Sequence, residues 1–236
     1  MTSSAAKTEL LLNDFAIRSF RDEGDADYIS ARLAFRTGLS TSLWASLQMV
    51  EKYLKCILLL NRIPGKHVKH DLRKGLDAIN NSGIVSLDLS PKTQGFINYI
   101  GSYGQYRYLE VSRVVNTMDI VQLDRTAWEL RRFCTLNLAP RQVKLINGVT
   151  IPKVELPGGY LESIINDKNN PARKALVWQN AFFGKRQRRF LRNMNGRIGA
   201  TNAPLELHPE ILDRVLDYVY LPKQLVKDYR SYALTK

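Results

Sequence analysis

Apolar residues recur at steps of three and four through the first half of the chain, which is the spacing of one face of an α-helix. The clearest segment follows a set of possible N-caps at 40–42 and carries this spacing at Leu43, Leu47, Val50, Leu54 and Ile57. Similar patterns with capping or helix-ending residues predict four further helices, at about 22–38, 70–80, 91–103 and 118–137. The first half therefore predicts a helical bundle.

The second half begins with a different pattern. No strand-like alternation appears before Pro140, but Asn147-Gly148 lies between two runs rich in β-branched residues and predicts a short β-hairpin over 142–154. Helical patterns then resume at 160–165, 171–194, 208–218 and from Pro222 onward. We expect a mostly α-helical protein: an up-and-down bundle over 1–138 and a basic, mainly helical region over 139–236.

The charge of the chain favours polyanionic partners. The formal net charge is +13, of which residues 136–236 contribute +9 and residues 1–135 contribute +4. A basic surplus attracts nucleic acid above all, through its phosphates. No apolar run approaches the ~20 residues that span a bilayer, and the first residues lack a signal-peptide pattern. We therefore expect a cytoplasmic protein with no membrane partner.

Cysteine and histidine usage does not indicate a metal site. Cys56 and Cys134 lie far apart within predicted helices, and the three histidines have no zinc-binding spacing. We expect both thiols to be buried in a reducing compartment, and we expect neither a metal nor a cofactor.

One helix face carries polar chemistry beside its apolar stripe. Glu51 and Lys55 are four residues apart in the favourable order for a helical ion pair. The spacing alone predicts a solvated pair, with Lys52 exposed next to it.

A wider pattern includes these residues. Asp27-Tyr28 and Ala31-Arg32 precede Gln48-x-x-Glu51-Lys52-x-x-Lys55, and His70-Asp71-Leu72 follows. In order and spacing these motifs resemble the HEPN family over residues 20–135. The resemblance implies an up-and-down helical bundle, usually a homodimer, that binds nucleotides or RNA. Many members of the family are RNases of toxin or defence systems.

The RNase members of that family carry an Arg-x4-6-His motif near the start of a late helix. Arginine can bind phosphate there, and histidine can transfer protons near neutral pH. Arg107 matches the late arginine, but no histidine follows it; Arg62 and His67 satisfy the spacing literally in the loop after the second helix. We take Arg107 and His70 as catalytic candidates, with an interhelical hydrogen bond as the other interpretation of His70.

Two further features indicate phosphate binding. Arg107 lies among tyrosines that could stack a base, and its alternative role is an ion pair such as one with Glu110. A basic run at 185–192 has a solvated helix face as its alternative. The candidate nucleic-acid-binding residues are Lys55, Arg107, Tyr108, Lys185, Arg186, Arg188, Arg189 and Arg192.

These observations support one main hypothesis and two alternatives. The main hypothesis is an RNA- or nucleotide-binding HEPN protein, dimeric, in a defence or toxin–antitoxin system. The first alternative is a metal-independent RNase with a degenerate motif. The second is a non-catalytic module whose basic half binds a protein partner.

Overall fold

A computed structural model describes residues 4–37, 41–106, 110–134, 141–144, 150–154, 159–184 and 198–233. Most of these residues are helical. The helices are α1 (Ser4–Phe15), α2 (Glu23–Thr37), α3 (Thr41–Leu60), α4 (Leu72–Asn81), α5 (Pro91–Tyr103), α6 (Asp119–Arg131), α7 (Tyr160–Asn166), α8 (Arg173–Val177), α9 (Pro204–Leu207), α10 (Leu212–Leu216) and α11 (Lys223–Ala233). A π-helical segment, Ala16–Asp22, joins α1 to α2.

Within the described residues, four short strands form two antiparallel pairs. The strands β2 (Arg141–Lys144) and β3 (Thr150–Val154) pair where the sequence predicts a hairpin. The strands β1 (Arg113–Asn116) and β4 (Ile198–Thr201) pair with Arg113 opposite Thr201. β1 therefore lies before Pro140, where the sequence shows no strand-like alternation. Four residues show too little alternation to be detected, and the partner strand lies far along the chain.

The core forms around α2 and α3, which pack along each other, with α4, α5 and α6 against them. Its fully buried side chains include Phe35, Met49, Tyr53, Ile100 and Leu123. Local signals set the helix starts: the Asp71 side chain accepts a hydrogen bond from Lys74 N, and Ser90 caps α5 ahead of Pro91. A mostly helical, bundle-like fold is thus confirmed.

Side chains beyond residue 138 belong to the same core. Leu161, Ile164, Leu176 and Phe183 are buried in the cluster that the bundle helices form. A second, smaller cluster contains Leu205, Leu212, Leu225 and Tyr229, packed against Tyr106 and Val111. The domain boundary near 138 stays a prediction, but residues 159–184 pack as part of the bundle.

The structure corrects several predicted helices. α1 was not predicted, and the segment 208–218 holds a 3₁₀ turn and then the short α10. α6 ends at Arg131 with a 3₁₀ turn to Cys134, short of 137.

The helix expected at 171–194 is confirmed only over α8, because α8 ends at Val177 and residues 178–184 are not helical. The Asn180 side chain accepts hydrogen bonds from the backbone N–H groups of Phe182 and Phe183, both at 2.9 Å. Such local side-chain bonds compete with continued helix formation.

The two thiols are free and buried, as expected. Among the described helices, none has both the length and the apolar character that crossing a membrane requires.

Candidate functional site

The Tyr28 and Arg32 motif on α2 is a buried anchor. Arg32 is fully buried; its guanidinium pairs with the Asp124 carboxylate on α6 and donates to the carbonyl oxygens of Ala175, at 2.8 Å, and Trp178. The Tyr28 hydroxyl donates to Asp124 Oδ1 at 2.6 Å. These bonds satisfy a charge pair that would otherwise be costly to bury.

Burial raises the pKa of Asp124, while the charge of Arg32 acts in the opposite direction. Asn180 Nδ2 donates to the Tyr28 hydroxyl at 2.8 Å and so extends the network to the turn after α8. Tyr28 and Arg32 therefore link residues 173–183 to the bundle. Because both side chains are buried, they are not accessible to a ligand.

A second ion cluster, buried at Asp25 and Arg131 and partly exposed at Glu162, links α7 to the bundle. Arg131 on α6 forms bidentate pairs with Asp25, at 2.7 and 2.8 Å, and with Glu162 on α7, at 2.6 and 2.8 Å. The Tyr53 hydroxyl donates to Asp25 Oδ1 at 2.7 Å. Burial raises the pKa of Asp25, and Arg131 opposes that shift. This cluster therefore also stabilises the fold.

The open part of the motif lies in a cleft between α3, the segment 66–74 and α5, which we call the α3–α5 cleft. Its volume is about 1010 Å³. Trp44, Gln48 and Glu51 line it from α3, and Asn98 and Ser102 line it from α5. The cleft thus combines an aromatic ring, amide and hydroxyl groups, and a carboxylate.

Glu51 lies at the base of this cleft and is only 6% exposed. Lys55 Nζ donates to its Oε1 at 2.5 Å, and His70 Nδ1 lies 2.9 Å from the same oxygen. Its other oxygen, Oε2, is buried without a hydrogen-bond partner.

Glu51 and Lys55 form the expected ion pair, but the expectation that this pair is solvated is wrong, because Glu51 is buried. The segment that begins α4 brings His70 back over Glu51, and helical spacing cannot reveal such a contact. Lys52 is half-buried and pairs with Asp27 on α2 at 2.6 Å, which corrects the expectation that it is exposed. Burial raises the pKa of Asp27, although Lys52 opposes the shift.

The rim of the cleft is basic. The segment 66–74 reads KHVKHDLRK, and its residues 67–74, which line the cleft, include three lysine or arginine residues, two histidines and one carboxylate. Lys69, Arg73 and Lys74 are exposed and line the cleft. Clustered cations beside a concave surface produce a positive potential that attracts anions.

The structure brings together only some of the predicted site residues. His70 lines the cleft, and Lys55 shares Glu51 with it. Arg107, Tyr108 and the run Lys185–Arg192 lie outside the described residues, although Gln105, two residues before Arg107, lines the cleft.

Arg62 has other partners than His67. Its guanidinium donates to Glu9 Oε2 at 2.8 Å and to Asn13 Oδ1 at 2.8 Å, both on α1. His67 instead lines the cleft. The literal Arg-x4-His spacing in this loop therefore does not direct both side chains into one site.

Sequence reasoning missed Trp44, Asn98, Ser102, Arg73 and Lys74 as lining residues. The run of cations at 66–74 was a usable signal for the last two, while the α5 residues carry none.

Within the described ranges, no group of three or more histidine, cysteine or acidic residues is placed to hold a metal ion. No family model, curated protein or solved structure matches the chain.

Proposed function

We propose that the chain is an RNA- or nucleotide-binding protein whose α3–α5 cleft holds phosphate groups. The observation that carries this proposal is the basic rim of the cleft, where Lys69, Arg73 and Lys74 are exposed beside a concave polar surface. Lysine and arginine bind phosphate oxygens through charge-assisted hydrogen bonds.

The interior of the cleft suits the rest of a nucleotide. Trp44 on its wall offers an aromatic surface on which a base can stack. Gln48, Asn98 and Ser102 carry donors and acceptors for base edges or ribose hydroxyls. The unpartnered Oε2 of Glu51 accepts a hydrogen bond from such a group if one reaches it.

Two partly independent regions supply the positive charge in this proposal. The first is the described rim at 67–74. The second is Arg107 together with the run Lys185–Arg192, which the sequence alone supports. Membership of the HEPN family, a homodimeric state and a role in defence or toxin–antitoxin systems belong to the same proposal and rest on the resemblance of residues 20–135.

A metal-independent RNase is the second candidate, and the contact between His70 and Glu51 favours it. A carboxylate that accepts from Nδ1 orients an imidazole and leaves Nε2 for proton transfer. His70 Nδ1 lies 2.9 Å from Glu51 Oε1, and the ring is 85% exposed. His70 would then act beside phosphate-binding cations.

The experiment for both candidates is incubation of the full chain with a mixed pool of labelled RNAs in EDTA, scored for gel shift and for cleavage. Binding that weakens with salt and leaves the RNA intact supports the binding protein. Cleavage in EDTA that His70→Ala abolishes supports the RNase. If the RNA is neither bound nor cleaved, both candidates are contradicted and the search turns to a protein partner.

A further inference from the structure

A second pocket adjoins the segment that rims the cleft and shares Lys69 and His70 with it. Its volume is about 450 Å³. Phe20, Leu58, Leu59 and Ile63 form its apolar wall, and Gly65 closes one side. A Cβ at Gly65 would lie 2.8 Å from Leu58 Cδ1, so glycine allows this segment to lie close to α3. We call this cavity the Phe20 pocket.

The mouth of the Phe20 pocket is cationic. Lys55, Lys66, Lys69 and His70 line it, and among the residues that the structure describes no aspartate or glutamate does so. Lys66 and Lys69 are exposed, whereas Lys55 is paired with Glu51. An apolar wall beneath lysines fits a ligand with an apolar body and an anionic group, because each part then meets its complement.

The backbone at Lys69 adds a second observation. Its φ is +51°, in the left-handed region that residues other than glycine, asparagine and aspartate rarely adopt. Such residues are frequent in ligand-binding segments, where the surrounding structure maintains the strain. Glycine would adopt this conformation more readily, yet the chain carries a long cationic side chain at the mouth of the pocket.

We propose that the Phe20 pocket binds a small amphipathic anion, with an aromatic or otherwise apolar body and one carboxylate, sulfonate or phosphate group. The apolar body lies against Phe20, Leu58 and Leu59, and the anion pairs with Lys66 and Lys69. The pocket shares Lys69 and His70 with the rim of the α3–α5 cleft, but Lys66 and Phe20 line this pocket and not that cleft, so Lys66→Glu distinguishes the two sites.

The test is a fluorescence titration of the full chain with anilinonaphthalene sulfonate, which joins an aromatic body to one sulfonate. We expect saturable binding that naphthalene sulfonate displaces and that inorganic sulfate, which has no apolar body, does not. Lys66→Glu should weaken binding roughly five- to tenfold, because it replaces an attraction with a repulsion.

Lys69→Gly provides a second variant that tolerates the native backbone. We expect it to fold with an undiminished melting temperature while its affinity for the probe falls, since glycine relieves the strain but removes the cation. Lys168→Glu, which changes an exposed lysine outside the pocket, and Arg73→Glu, on the cleft rim, are the matched controls and should bind the probe like the wild type.

Three results would overturn the proposal: no saturable binding, unchanged affinity in Lys66→Glu, or an equal loss in Lys168→Glu. A loss shared by all charge-reversal variants would mean that net charge alone attracts the probe. Arg73 and Lys74 line the cleft and not the Phe20 pocket. Failure of the pocket proposal would therefore leave RNA binding by the wild type unaffected, and the two proposals can fail separately.

Discussion

His70 Nδ1 lies 2.9 Å from Oε1 of Glu51, a residue 19 positions earlier on α3. The carboxylate is buried while the ring is 85% exposed, so the pair spans the boundary between the bundle core and the α3–α5 cleft. Lys55 donates to the same oxygen and supplies a compensating charge. The motif residues of α3 and of the segment before α4 thereby hold one imidazole at a basic rim.

This contact predicts the tautomer of His70. The neutral ring should carry its proton on Nδ1, because Glu51 Oε1 accepts only from a protonated nitrogen. Ring-nitrogen NMR shifts measure this directly, and His67, which also lines the cleft, is the internal reference. We expect Glu51→Gln to weaken the preference. A proton on Nε2 of His70 in the wild type would contradict the contact.

The cap of α4 predicts a pH dependence. The backbone N–H of Lys74 donates to the Asp71 carboxylate and lowers its pKa below the ordinary 3.8. A lowered pKa in the folded state means that the stabilisation is present above 3.8 and is lost as the pH falls through the folded value. Asp71→Ala should cost about 1 kcal/mol of unfolding free energy at neutral pH.

Asp71→Asn is the matched control for this prediction. Asparagine caps helices comparably well without a titrating charge. Urea unfolding across a pH series should show the difference between wild type and Asp71→Asn shrinking below the ordinary aspartate pKa. A difference that grows as the pH falls would give the wrong sign and refute the assignment.

The buried pair of Arg32 and Asp124 predicts a large stability effect. Arg32→Leu leaves the Asp124 carboxylate buried without its cation, which typically costs about 3–5 kcal/mol. Arg32→Leu combined with Asp124→Leu should cost less than the sum of the single changes, because no lone charge then stays buried. Thermal and denaturant unfolding measure both.

Arg36 offers a control one turn along the same helix. It is exposed and lies 4.7 Å from the ring centroid of Trp178, a cation–π contact. Arg36→Leu should therefore cost no more than about 1 kcal/mol. Equal losses of unfolding free energy in Arg32→Leu and Arg36→Leu would mean that the buried network stabilises the fold no more than the exposed cation–π contact does.

The pair of Arg131 and Glu162 predicts local protection of α7. Glu162→Gln keeps the shape but removes one carboxylate from Arg131, so amides of Tyr160–Asn166 should exchange about fivefold faster while those of α3 stay unchanged. Glu210→Gln, at an exposed position outside α7, is the control. Uniformly faster exchange throughout the protein would mean that Glu162 does not act locally.

Local signals allowed the sequence to predict much of the bundle. Helical periodicity located α2 and α3 and the start of α4 near Asp71, and the Ser90-Pro91 cap signal located the start of α5, each start to within a residue or two. These signals act within one or two turns of the chain. They are therefore visible without knowledge of the tertiary structure.

The features that were missed depend on distant contacts. Glu51 is buried because His70 returns over it, and β1 exists because β4 pairs with it. The Asn180 side chain accepts a hydrogen bond from the backbone N–H of Phe182 after α8, and it also donates to the distant Tyr28 hydroxyl on α2. The α5 wall of the cleft, including Asn98 and Ser102, carries no motif and became visible only once α5 was placed beside α3.

The central claim is that the basic rim of the α3–α5 cleft binds phosphate, and fluorescence anisotropy with a labelled single-stranded RNA tests it most directly. The full chain, the double variant Arg73→Glu with Lys74→Glu, and the control Lys168→Glu would be titrated in EDTA across a salt series. We predict that the double variant weakens binding at least about tenfold and lowers the salt slope by about 1.4, as expected for two lost phosphate contacts. Equal affinity and slope in all three proteins would contradict the claim.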